Sequence, residues 1–79
     1  MKATIEYNLP DDQIEFELAT SAHRMHSVLW DLDQWLRAKL KYQTEKMTDE
    51  EEKAYAKVRE HLHELMGDYN INLDWYIHH

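Results

Sequence analysis

The period of hydrophobic and polar positions changes along the chain. Residues 2–9 alternate, with Ala3, Ile5, Tyr7 and Leu9 on one side and Lys2, Thr4, Glu6 and Asn8 on the other, which predicts a half-buried strand. Asn8-Leu9-Pro10 ends it. Pro10 suits the first turn of a helix, and Asp11, Asp12 and Glu15 suit its positive end, so a short lead-in helix is predicted over 11–19. Thr20-Ser21 reads as a break whose hydroxyls cap a second helix, expected from about Ala22 to about Tyr42. Its apolar stripe is Met25, Leu29, Leu32, Leu36 and Leu40, widened by Val28 and Trp35, with Trp30 at its edge.

After the polar connection Gln43 to Met47, Thr48-Asp49-Glu50-Glu51 forms a capping box, the strongest local signal in the chain. The third helix is predicted from Asp49 to about Met66, with Tyr55, Val58, Leu62 and Leu65 as a coiled-coil-like seam and Gly67 as a left-handed C-cap. The tail alternates again: Ile71, Leu73, Trp75 and Ile77 oppose Asn72, Asp74, Tyr76 and His78, predicting a second strand able to pair with 3–9. The expected architecture is therefore a single α+β domain over 1–79, mainly α: a helical hairpin with a short lead-in helix and short N- and C-terminal strands. The Leu stripe of the second helix is expected to pack on the Tyr55–Leu65 seam, with Trp35 in the core. A two-stranded sheet is marginal in water, so the strands favour a homodimer that completes them.

Composition narrows the chemistry. In 79 residues there is no Cys, which excludes disulfides and thiolate zinc sites, and a single Gly, which excludes a glycine-rich phosphate loop. Nine Lys and Arg stand against 16 Asp and Glu, a net charge of −7. That balance argues against direct nucleic-acid binding, which needs clustered cations, and allows a basic protein surface or an acidic mimic of DNA as alternatives. No run is apolar enough to span a membrane, and Met1-Lys2 leads into a mixed segment unlike a secretory leader.

Candidate sites are sparse. His23 and His26 share a helix face, and Glu60 with His63 makes one Glu-x-x-His unit, but the second helix offers no matching Glu. The six histidines therefore read as surface groups, and no metal or other cofactor is expected. His78 and His79 end the chain. Ser21 and Ser27 lack a nucleophile motif, and Asp31 and Asp33 diverge on a helix, so no catalytic residue is assigned and the chain reads as a non-enzyme. The residues expected to bind a partner are Trp30, Arg37, Lys39, Lys41 and Tyr76: aromatic and cationic types that dominate interaction hot spots. A dimer groove combining aromatics with these cations would also suit a nucleotide signal, which makes a small-ligand sponge the alternative.

The segment Lys2 to Pro10, with the following acidic residues and Phe16-Glu17, resembles the opening of a family of small acidic proteins of tailed bacteriophages. Leu29 to Tyr42 is similar to that family's central helix. The resemblance covers most of the chain and is strongest at 2–18 and 29–42. It carries no assigned chemistry. It implies a phage accessory protein acting in the host bacterial cytoplasm, and by analogy one that binds a host or phage protein, including components of host defence.

Overall fold

The computed structural model describes residues 1–75, and they form an antiparallel helical hairpin. Helix α1 runs unbroken over Gln13–Tyr42, and α2 over Asp49–Asp68. A 3-10 turn, Thr44–Lys46, joins them, and a second, Leu73–Trp75, follows α2. No strand occurs among the described residues, so the α+β expectation is corrected to all-α.

The expected N-terminal strand is absent because it has nothing to pair with. Tyr7 instead folds back edge-on against Phe16, with ring centroids 5.8 Å apart. Asp12 anchors this return: its N–H donates to Asn8 O at 2.8 Å and its Oδ2 accepts from Asn8 N–H at 2.9 Å. The predicted C-terminal strand is likewise overturned over 71–75, and its remainder, with His78 and His79, lies outside the described residues.

The break at Thr20-Ser21 does not occur, and the lead-in helix is simply the first part of α1. Thr20 Oγ1 donates back to Phe16 O at 3.0 Å, and Ser21 Oγ accepts from Arg24 Nη2 at 2.8 Å. Both hydroxyls are thus spent within the helix and neither caps a new one.

At α2 the capping box forms as expected: Glu51 N–H donates to Thr48 Oγ1 at 3.1 Å. The Glu51 side chain returns to the Thr48 hydroxyl, at 3.3 Å. The other end differs from expectation, because Gly67 stays helical and Asn70 takes the left-handed position at φ 56°. Ile71 N–H reaches Met66 O at 2.8 Å and Asn70 N–H reaches Gly67 O at 3.2 Å, the paired bonds of a Schellman ending. Asn tolerates this conformation better than other side chains, and Met66 and Ile71 supply the accompanying apolar contact at the helix end. The chain then returns toward α1, where His26 Nε2 donates to Asn72 O at 3.0 Å.

The hairpin is long and thin. It extends 53 × 28 × 20 Å with a radius of gyration of 17.3 Å. A compact domain of this length has about 12 Å. Helix α1, about 45 Å long at 1.5 Å per residue, overhangs the shorter α2, so residues before about His26 have no α2 beside them. The core is small: the only buried apolar residues among those described are Leu36 and Met66.

Candidate interaction surface

Residues on α1 divide by face. Leu29, Asp33, Leu36 and Leu40 turn toward α2 and are buried or half-buried. On α2 the facing set is Tyr55, Arg59, Leu62 and Met66. The predicted seam is therefore rotated. Tyr55 and Leu62 face inward as expected, while Val58 and Leu65 remain exposed.

Asp33 is the one buried charge among the described residues, at 5% exposure. It accepts from Arg59 Nε at 3.0 Å and from His63 Nε2 at 2.6 Å. Burial pushes its carboxyl up, but the hydrogen bonds and positive charge supplied by Arg59 and His63 outweigh that and hold it below the usual carboxylate range. From the sequence, Asp33 reads only as one of two diverging carboxylates, with no role assigned. Its position between Leu29 and Leu36 on the inner stripe was the available signal. Beside this triad an open cleft of about 570 Å³ is lined by Leu40, Ala56, Arg59, Glu60, His63 and Glu64. Its carboxylates and imidazole do not converge, and no group of three or more potential ligands able to hold a metal occurs among the described residues.

One helical step away, α1 carries a second stripe. Leu18, Met25, Val28, Leu32, Trp35 and Tyr42 recur at the alternating spacing of a coiled-coil seam, with Ser21 and Lys39 filling its two polar positions. All six apolar members are exposed, Val28 at 66% and Trp35 at 49%. Because the helices are antiparallel, the flank of α1 bearing Val28, Leu32 and Trp35 and the flank of α2 bearing Val58 and Leu65 lie on one face of the hairpin. Trp35 touches Tyr55 edge-on across it, at 5.6 Å between centroids. The opposite face carries the Asp33–Arg59–His63 triad.

The predicted partner-binding residues separate on this frame. Trp30, Arg37 and Lys41 follow one another along a single ridge of α1, with Trp30 half-buried and Arg37 and Lys41 exposed. Lys39 belongs to the other flank, its Nζ 5.3 Å from the centre of the Trp35 ring. Lys41 lies at the same distance over Tyr42. Trp35, expected in the core, is half-exposed, whereas Trp30 is the more covered of the two. Tyr76 lies outside the described residues.

The accessible surface is 7033 Å². A folded monomer of this mass exposes about 5,100 Å². No described helix is long and apolar enough to cross a membrane. No protein-family model, curated protein or solved structure matches this chain.

Proposed function

We propose that this chain is a non-enzymatic accessory protein that works by docking onto another protein, and that its target is a host or phage protein in an infected bacterium. The observation that carries the docking reading is the uncovered apolar stripe of α1: six large side chains in seam register, beside a core of only Leu36 and Met66. Apolar surface of that extent on a small chain marks a protein-interaction site. The phage setting, and with it the bacterial cytoplasm, rests on the resemblance of 2–18 and 29–42 to small acidic phage proteins.

The target contact is assigned to the ridge of Trp30, Arg37 and Lys41, an aromatic followed by two cations on one line of α1. Trp and Arg are the residue types that most often dominate interfaces, and an acidic patch on the target would complement the cations. Lys39 is left out of that contact because its position on α1 is within the second stripe; Lys41 stands on the ridge, with its Nζ reaching over Tyr42 at the helix end. Neither the nucleotide sponge nor the acidic DNA mimic has a specific observation in its favour.

Affinity capture from infected and uninfected lysates tests this reading. The tagged wild type is expected to retain one protein stoichiometrically, and a Trp30→Ala, Lys41→Glu variant with unchanged helicity is expected to lose it. Equal retention by the variant overturns the ridge assignment. Retention of nothing from either lysate overturns the docking reading itself.

A further inference from the structure

We propose that the outer stripe of α1 is the interface for a second copy of this chain, and that the two α1 helices pair antiparallel about a two-fold axis near Trp30. The inference deepens the docking reading by naming the occupant of the apolar face. With that face given to a second copy, the target contact of the docking reading rests on the Trp30–Arg37–Lys41 ridge.

Area is the first argument. The chain exposes roughly 1,900 Å² more than a folded monomer of its mass should. Burying that excess on each of two copies lies within the range of an obligate homodimer, about 2,000–5,000 Å² in total. Part of the exposed apolar surface lies on α1, which overhangs its own hairpin partner where a second hairpin would flank it: Leu18, Met25, Val28, Leu32, Trp35 and Tyr42 are all exposed.

Register is the second argument. With the axis near Trp30, Val28 of one copy meets Leu32 of the other, Met25 meets Trp35, and Leu18 meets Tyr42. The remaining layer matches Ser21 with Lys39, the two polar members of the stripe. Apolar layers thus meet apolar layers, and the polar positions meet each other, without shifting the helix.

Charge decides the orientation. The start of α1 is acidic, with Glu15 and Glu17, and its end is basic, with Arg37, Lys39 and Lys41. A parallel pair would set like against like at both ends. The antiparallel pair sets the acidic start of one α1 toward the basic end of the other. Each copy's α2 then flanks the partner's overhanging first turns, where Val58 is available to cover them. The product is a four-helix bundle in which Leu29 and Leu36 lie between the two hairpins' packing layers.

Sedimentation equilibrium of the wild-type chain tests self-association, and a spin label at Ala19→Cys in this cysteine-free chain tests orientation. The expected result is a dimer whose labels lie about 33 Å apart along the axis, since eleven residues separate the label from the two-fold in each copy. Labels about 10–15 Å apart would mean parallel packing and overturn the orientation. A wild type that stays monomeric at hundred-micromolar concentration overturns the inference. It leaves the docking reading standing if capture still succeeds. Leu32→Glu is expected to weaken the dimer about 100-fold or more. Should that variant unfold, Ser21 provides the independent check, because it faces Lys39 of the other copy: Ser21→Glu is expected to strengthen the dimer and Ser21→Lys to weaken it. The same effect from both substitutions overturns the stated register.

Discussion

Asp33 shows how one side chain can set the pairing of two helices. Its carboxylate is buried on the inner stripe and is held by Arg59 and His63 from the facing helix. A leucine there would pack with many registers, whereas the carboxylate is satisfied in one. Asp33→Asn is expected to destabilise the hairpin by about 1–3 kcal/mol, toward the lower figure because Arg59 and His63 are partly exposed and regain water. Chemical denaturation of the two proteins at neutral pH measures this. The acid side has a definite sign. The folded carboxyl sits below its unfolded value, so its contribution is complete above the ordinary aspartate range, about pH 3.9, and is lost as pH falls through the depressed value. Helicity should therefore drop on acidification below about pH 4, and Asp33→Asn should flatten that part of the titration. An unchanged acid limb in the variant would show that other carboxylates set it.

At the scale of elements, the ends of α2 separate what local chemistry decides from what it leaves open. Its start was legible, because the Thr48 hydroxyl satisfies the exposed Glu51 amide, and the Glu51 carboxylate accepts from that hydroxyl, at a fixed spacing whatever packs nearby. Its end was misplaced. Gly67 is the usual occupant of a left-handed cap, yet the helix continues through it and Asn70 takes the turn. The continuation lets Ile71 meet Met66 at the helix end, a gain that propensity alone does not register. A Cβ added at Gly67 meets no atom within 4 Å. Gly67→Ala is therefore expected to stabilise by about 0.5–1 kcal/mol, since glycine in a helix interior carries the larger entropy loss. Thermal melts decide it, because a left-handed Gly67 would make the same change destabilising. The start of α1 teaches the converse. Thr20 and Ser21 have the chemistry of a cap, but hydroxyls can also bond back into their own helix, and here they do.

For the whole molecule, the shortage of buried area governs behaviour. Two buried apolar residues among those described form a small core for a 53 Å hairpin, and on the proposed dimer association supplies the missing burial. The melting temperature of the wild type is accordingly expected to rise with protein concentration by several degrees per decade, as it does when folding and assembly are linked. A melting temperature independent of concentration from 1 to 100 micromolar, in a chain that sedimentation shows to be monomeric, would remove that coupling. Salt should weaken the assembly moderately, because the end-to-end charge match is partly exposed to solvent.

The sequence by itself determined the hairpin, the extent of α2 to within two residues, the capping of its start and the polar connection before it. These follow from period, spacing and capping chemistry, which act over a few neighbouring residues. It did not determine whether alternating ends become strands, because a strand exists only with a partner at hydrogen-bonding distance, and 3–9 and 71–75 find none. Nor did it determine which of two adjacent apolar stripes on α1 turns inward. Leu29 and Leu36 lie one helical step from Leu32 and Trp35, and local pattern treats them as one broad face. The choice falls to the Asp33–Arg59–His63 contact, which joins residues 26 and 30 apart in the chain, and to the burial of Leu36 on the same face. That tertiary choice puts Trp30 and the cations of Arg37 and Lys41 on one flank, and leaves the second apolar stripe exposed on the other.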